Sequence, residues 1–540
     1  VGQGVQVLAI GGLLAGAVAA SLVAQRLRLP ALLLFLGIGM AAGSDGAGWI
    51  SFDNYEVARQ IGVLSLALIL FDGGLSAGWT QIRSVIGPSL SLAIGGTVLV
   101  AVFTAAGAVV LFGFSPLQAL LLGSVIASTD SAAVFGVLRG STLSKRLRRT
   151  LEGEAGFNDP VALVLVLGFM DWISNPGYNL ADMAVLGARE LVLGALCGYV
   201  VGRVAVGAFS RLRPPTNGLF PVASVAVAAL AFGLADTLHG SGFLAVYLAG
   251  LILGDAPIPG RQTIAIFHDG IAWVAQIGLF LTLGLLVFPS QLGAIAPAGI
   301  ALGLFLVLIA RPLATIAATI GRGFTVPERI VLSWAGLRGA APVVFATFPV
   351  AAGIPGSQDL FNIVFFAVVV STLLQGTTFE RLARAFGLTE QAPPLPRQLV
   401  EFGGSRRLGV ELMEYPVTDR DAVVGRRVRD LGLPSGSTLA VVVRGDEAVP
   451  PAGSTRLNAG DTLHLVVREQ TAGPVAGLIE QLQAGDARQV EGAREGGATN
   501  PADWSWSSTR DFAATAARSS WMVRLIRPPA RARSGRTQSR

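Results

Sequence analysis

Five places in this chain set ionisable residues inside apolar runs: Asp72, Asp130, the pair Glu154 and Asp159, Arg311, and Arg338. Charge in an apolar, lipid-like stretch is costly and marks a path for ions or protons. The densest cluster is Glu154-Ala155-Gly156-Phe157-Asn158-Asp159-Pro160. On a helix Glu154 and Asn158, four apart, share a face. Asp159 lies roughly 140° around from Glu154, so the two carboxylates need not share a pocket. Pro160 has no N–H, which leaves the Gly156 carbonyl without its helical partner. A carbonyl released beside a carboxylate suits a small cation. The competing reading is a proline-kinked helix start with solvated acids.

Two apolar runs are interrupted. The run at 117–138 contains Ser128-Thr129-Asp130-Ser131, and the run at 328–350 contains Gly336-Leu-Arg-Gly-Ala-Ala-Pro342. Such breaks expose backbone, and transporters bind ions at discontinuous helices. The two runs are the fifth and the twelfth, so they cross in opposite directions, as in inverted repeats. Arg311 and Arg338 both need partners in a dry interior. The expected ion pair is Glu154 with Arg338, a structural tie between the broken helices. Asp159 is then the unpaired carboxylate. A lone buried carboxylate is poorly tolerated when charged and empty, so a proton and a cation compete for it. Asp130 is expected to orient a helix break by accepting backbone N–H groups, and Asp72 to line the ion path. His239 and His268 read as ordinary histidines near span ends, and Cys197 as a small packing residue.

The surrounding chain must hold these groups in lipid. It is 52% hydrophobic and 14% charged, where a soluble chain carries about a quarter charged residues. Apolar runs recur about thirteen times between residues 5 and 382, some of them shorter than the roughly 20 residues that cross a bilayer. The first is followed at once by others and reads as a span, not as a cleaved signal peptide. Basic residues fall in alternate loops: Arg26 and Arg28, Arg83, Lys145 to Arg149, Arg211 and Arg213, Arg261, Arg322 and Arg329, then Arg381 and Arg384. By the positive-inside rule the N-terminus is outside and the C-terminus cytoplasmic. This requires an odd number of spans. One cysteine excludes a disulfide within the chain, and one cysteine with three histidines argues against a zinc centre. No Gly-x-x-x-x-Gly-Lys-Ser/Thr run exists, so nothing resembles a phosphate-cradling loop. The domain plan is 1–388 for the membrane part and 389–397 for a Pro-rich linker. A small cytoplasmic α+β domain follows at 398–482, with strands at Leu408 to Tyr415, Thr438 to Arg444 and Thr462 to Val467. Residues 483–540 form an Arg-rich tail with disordered composition.

These residues resemble the cation:proton antiporter superfamily, in its NhaP-like asparagine–aspartate branch. The matching pieces are Phe71-Asp-Gly-Gly-Leu75, Ser128-Thr-Asp130, Glu152-Gly-Glu-Ala-Gly-Phe-Asn-Asp-Pro160, Ala310-Arg-Pro312 and Gly336-Leu-Arg-Gly339. The resemblance implies an all-α polytopic fold of about 13 helices, with inverted repeats and two crossed discontinuous helices. It further implies a homodimer with separate core and dimerisation domains and an elevator-like cycle. By position it makes Asp159 the ion and proton carboxylate and Asn158 its neighbour, and places Thr129 and Asp130 in the unwound crossing. Glu154 with Arg338 looks like the family's buried ion pair. Asn158-Asp159 without a membrane lysine implies electroneutral exchange. Residue 155 is Ala, where sodium-type members often have a coordinating serine. The 398–482 domain looks like the C-terminal subdomain of potassium-conductance regulators, on Val424-Gly-Arg426, Leu431-Gly-Leu-Pro434, Val443-Arg-Gly445 and Leu457-Asn-Ala-Gly-Asp461. In relatives that subdomain can bind a small ligand, and its presence tilts the cation toward potassium.

The expected function is secondary antiport of a monovalent cation for protons across the cell inner membrane. Potassium is the first reading and sodium the alternative. The chain is expected to be no enzyme and to need no cofactor or resident metal, and nothing points to nucleic acid. A ligand-gated potassium channel would need a carbonyl-lined filter that the sequence lacks. A membrane-anchored sensor would leave Asp130, Glu154, Asp159, Arg311 and Arg338 without a purpose.

Overall fold

The computed structural model describes residues 3–27, 30–130, 143–211, 214–389, 410–418, 421–445, 447–468, 475 and 477. Ser131, most of the 389–397 linker and the tail at 483–540 lie outside the described residues. The chain divides into two compact units, a helical one through residue 389 and a strand-built one from residue 410.

The helical unit comprises α1 (Gln3–Leu27), α2 (Ala31–Ala42), α3 (Tyr55–Ala77), the short α4 (Trp79–Arg83), α5 (Ile86–Phe112), α6 (Pro116–Ala127) and α7 (Lys145–Ser174). It continues through α8 (Leu180–Arg211), α9 (Leu219–Thr237), α10 (Gly242–Asp255), α11 (Arg261–Leu285) and α12 (Pro289–Ala318). It ends with α13 (Val326–Trp334), α14 (Ala340–Ala351) and α15 (Ser357–Ala385). Among the described residues, eight of these helices are long and apolar enough to cross a membrane. Five shorter apolar helical segments accompany them, α6, α10 and α14 included.

Local chemistry sets the ends. Asn54 caps α3 by accepting the Val57 N–H at 3.0 Å. Ser115 caps α6 with Pro116 in its first turn, and Thr325 with Glu328 forms a reciprocal capping box on α13. Two boundaries differ from the hydropathy reading. α7 starts at Lys145, nine residues before the apolar run at 154, because its first turns are basic and helical at once. Glu154 therefore sits in the third turn, 2% exposed, which removes the reading of solvated acids at a helix start. α11 likewise starts at Arg261, so His268 is a fully buried residue within a helix.

α3 packs on α10, α11 and α14, α2 on α11, and α8 on α10. α5 packs on α6, α6 on α7, and α12 on α15. Both α5 and α12 contain a π-helical stretch, at Ser91–Gly96 and Leu306–Ala310.

The second unit is a four-stranded antiparallel sheet in the order β1-β4-β2-β3, with β1 (Val410–Pro416), β2 (Ser437–Arg444), β3 (Glu447–Val449) and β4 (Asp461–Arg468). Met413 pairs with Leu465, and Val442 with Leu463. These residues with Tyr415, Leu439, Leu457 and Val467 form its core. The sequence pattern missed β3, whose three residues are too few to alternate visibly.

Candidate functional site

Helix α6 stops at Ala127, and residues 128–130 continue without helical bonds. Helix α13 stops at Trp334, and α14 resumes at Ala340. The two interruptions meet: the Asp130 N–H donates to the Leu337 carbonyl at 2.9 Å.

Each interruption carries one charge, and each charge serves the other half. The Asp130 carboxylate accepts the Ala340 N–H at 2.9 Å, at the start of α14. Arg338 Nη1 donates to the Ala127 carbonyl at 2.6 Å, at the end of α6. Helix starts carry partial positive charge and helix ends partial negative charge. Carboxylate and guanidinium thus neutralise two helix ends pointing into a dry interior. Gly339 is needed there, because a Cβ would collide with Asp130 Oδ2. Helix α15 fixes the same peptide: Arg338 N–H donates to Ser371 Oγ at 3.0 Å, and Thr372 Oγ1 donates to the Arg338 carbonyl at 2.6 Å.

Beside the crossing stands α7. Asp159 is fully buried, and its Oδ1 accepts from Ser128 Oγ at 2.5 Å. Asn158 Nδ2 donates to Thr129 Oγ1. The remaining acceptors, Asp159 Oδ2 and Asn158 Oδ1, are buried and have no hydrogen-bond partner among the described residues. Glu154 Oε1 and Oε2 and Arg338 Nε and Nη2 likewise have no hydrogen-bond partner among the described residues, so what sets the Asp159 side apart is the oxygen donors gathered there. With the hydroxyls of Ser128 and Thr129, the oxygen-rich set suits a hard monovalent cation or a proton. Among the described residues no His/Cys/Asp/Glu group is arranged to hold a resident metal ion.

Glu154 faces elsewhere on α7, and its partner differs from the expected one. Arg311 Nη1 lies 2.6 Å from Glu154 Oε1, with both side chains at most 3% exposed. Arg311 follows the π-helical stretch of α12 directly, and its Nη2 reaches the Leu332 carbonyl at 3.4 Å. Arg338 instead turns its Nη1 to the end of α6. The expected Glu154–Arg338 pair is therefore replaced by Glu154–Arg311.

The other singled-out residues are placed as follows. Gly156 lies under the ring of Tyr247 from α10, where any Cβ would collide with the ring. The Tyr247 hydroxyl donates to the Glu152 carbonyl at 3.3 Å. The Gly156 carbonyl, four residues before Pro160, lacks an intrahelical donor by covalent structure. Ala155 packs in an apolar cluster with Leu151, Phe324, Leu332 and Leu337, so position 155 does not supply the site's hydroxyl. Asp72 is 5% exposed on α3, next to Phe71, whose ring lies 5.0 Å from His268. Ser128 is the site residue that sequence reasoning passed over. Its signal was present: it opens the same polar run as Thr129 and Asp130.

Crossed broken helices, compensated helix ends and a fully buried carboxylate beside them define a secondary ion transporter. Comparison with known proteins gives the family. Residues 13–385 match the family described as sodium/hydrogen exchanger, transmembrane, and residues 412–473 match the TrkA-C domain. The chain belongs to the sodium/hydrogen exchanger family of cation:proton antiporters and carries a C-terminal TrkA-C domain. It is 38% identical over 458 residues to the K(+)/H(+) antiporter NhaP2 of Shewanella baltica, covering 84% of this chain and 79% of that one. It is 36% identical over 451 residues to the K(+)/H(+) antiporter NhaP of Alkalimonas amylolytica, covering 82% and 77%. In fold it is similar to the sodium proton antiporter MjNhaP1 of Methanocaldococcus jannaschii at pH 8. That likeness has a TM-score of 0.62 at 20% identity and covers 71% of this chain and 99% of that one.

Proposed function

We propose that this protein exchanges potassium for protons, one for one, by alternating access, with Asp159 as the carboxylate loaded in turn by each. The observation that carries the proposal is the fully buried Asp159 carboxylate, held by Ser128 beside the crossing, with Asn158 on Thr129 next to it. A charged, empty carboxylate in that interior is expensive to move through the membrane. Neutralised by a proton or by a cation it is not. Exchange then needs no further rule: the site crosses loaded with one ion or the other. Asp130 and Arg338 are already engaged with helix ends, and Glu154 with Arg311. Of the acids at the crossing and at 154–159 on α7, Asp159 is thus left for cargo, which supports a one-for-one, electroneutral cycle. Potassium rests on the two named relatives.

The proposal includes thirteen crossings, the N-terminus outside and the C-terminus in the cytoplasm of a cell inner membrane. Contacts between distant loops support the count. Arg146 bonds the Gly323 carbonyl at 3.0 Å, the Ser144 N–H the Leu388 carbonyl at 3.0 Å, and Gln358 the Tyr55 hydroxyl at 2.8 Å. In each case an even number of apolar helical segments intervenes, counting each broken pair as one. Assembly is proposed as a homodimer in the bilayer, with the 398–482 domain regulating exchange through a small ligand. Asp72 is proposed to line the ion path.

The test is exchange in proteoliposomes with potassium, sodium or lithium outside, at several pH values. Potassium-dependent proton movement in wild type, lost in Asp159→Asn and kept in Asp171→Asn, is the expected result. Asp171 is exposed near the far end of α7 and serves as the control. Retained exchange in Asp159→Asn would overturn the site, and exchange with sodium alone would overturn the cation.

A further inference from the structure

Two exposed carboxylates outside the ion site tie the links between helix groups. Asp45 lies in the loop between α2 and α3. Its Oδ2 accepts the Ser290 N–H at 2.6 Å, in the first turn of α12. Asp255 is the last residue of α10. Its Oδ2 accepts the Thr80 N–H at 3.0 Å and also the Thr80 hydroxyl, in the first turn of α4. Gly78 ends α3 in the left-handed region at φ 69°, and a Cβ there would stand 3.2 Å from Asp255 Oδ1. The carboxylate therefore closes directly over the α3–α4 turn.

The positions of the two ties correspond. Helix α2 packs on α11, and α10 and α11 pack on α3, whereas α5 packs on α6, α6 on α7 and α12 on α15 around Asp159, with α3 and α10 touching α7 and α3 touching α14 across the boundary. The chain passes from the first group to the second at two places: from α3 through α4 to α5, and from α11 to α12. Asp255 ties the first passage and Asp45 the second, each from the first group. An odd number of apolar segments separates the two ties along the chain, so they sit at opposite faces. Neither tie involves Asp159, Asn158 or the crossing. Two hydrogen bonds from Ser290 hold the Asp45 carboxyl below the usual carboxylate range, so its tie stays charged at neutral pH.

We propose that Asp45 and Asp255 are positioning residues for transport, which by tying Ser290 and Thr80 hold the Asp159 helix group in the orientation seen here. This rests on the alternating-access reading above. Both ties are made in one conformation, so loss of either lowers the population of that conformation relative to its alternate. A change in population rescales the apparent affinity at the two faces in opposite senses, with intrinsic affinity unchanged.

The test uses the full-length protein in right-side-out and in everted vesicles, with potassium as the probe. The half-saturating concentration is measured at each face for wild type, Asp45→Ala, Asp255→Ala and the double variant. Each single variant is expected to change the ratio of the two half-saturating concentrations about threefold to tenfold, the change expected from losing a helix cap. The concentration should rise at one face and fall at the other, in the same sense for both variants, with a larger change of ratio in the double variant. Asp45→Asn and Asp255→Asn, which keep an acceptor oxygen and fold-compatible shape, should lie between alanine and wild type. Unchanged half-saturation at both faces, or an equal rise at both, would overturn the inference. Absence of exchange in wild type would instead overturn the proposed function, so the two failures are distinguishable.

Discussion

The carboxylate of Glu154 is held by Arg311, 2.6 Å away, and not by the arginine that lies on the crossing itself. Five residues further along the same helix, Asp159 meets no arginine at ion-pair distance among the described residues and accepts from the Ser128 hydroxyl. One helix therefore carries two buried acids in different surroundings. In the proposed cycle Arg311 holds Glu154 in the scaffold of the site and Asp159 is left to the cargo.

Glu154→Gln should be strongly destabilising, because it strands the Arg311 charge in the interior. The expected loss is about 3–5 kcal/mol, the usual consequence of breaking one side of a buried pair. Glu154→Gln combined with Arg311→Met should recover much of it. Thermal unfolding of detergent-solubilised protein checks both variants. A single variant as stable as wild type would mean the pair contributes nothing.

Ser128→Ala removes the hydroxyl that donates to Asp159 Oδ1 at 2.5 Å. A hydrogen bond to a charged group contributes about 1.5–3 kcal/mol. The KM for the cation should rise by about tenfold with maximal rate largely kept, and Ser128→Thr should restore it. An unchanged KM would remove Ser128 from the site.

Gly339→Ala should disrupt the crossing, since the added methyl collides with the Asp130 carboxylate that caps α14. Overpacking of this kind costs about 1–3 kcal/mol or more. Gly233→Ala on α9, where nothing lies within 4 Å of the added Cβ, is the control and should be neutral or slightly stabilising. Equal melting temperatures for the two variants would contradict the tight crossing.

In the TrkA-C domain, Arg444 bonds both oxygens of Asp461 at 2.8 Å. These bonds hold the Asp461 carboxyl below the usual range. A depressed carboxyl stabilises the fold above its unfolded value and loses that contribution as pH falls through the folded one. Arg444→Met should therefore make residues 410–468 open at a higher pH during acidification, starting below about pH 4. Hydrogen exchange of that segment in the intact protein reads the shift. Identical acid profiles would show the pair to be inert.

The amino-acid sequence by itself determined that the chain is a polytopic helical protein with a small strand-built domain after it. The reason is physical: lipid admits only internally bonded helices or closed barrels, so long apolar runs of this composition have one solution. It also pointed to interruptions within Ser128 to Ser131 and Gly336 to Pro342, which the structure places at 128–130 and at 335–339, with Pro342 already inside α14, because polar and Gly residues weaken an apolar helix. Pairing was decided only in the tertiary structure. Whether Glu154 meets Arg311 or Arg338 depends on which guanidinium the fold carries past α7, and that follows from the crossing and from the end of α6 claiming Arg338. The same holds for Ser128 and Ala155. Their chemistry is plain in sequence, but the helix break turns the Ser128 hydroxyl onto Asp159 and the packing of α13 turns Ala155 into an apolar cluster. Composition and local spacing decide where a charge sits along the chain. Only the packing of distant helices decides what it faces.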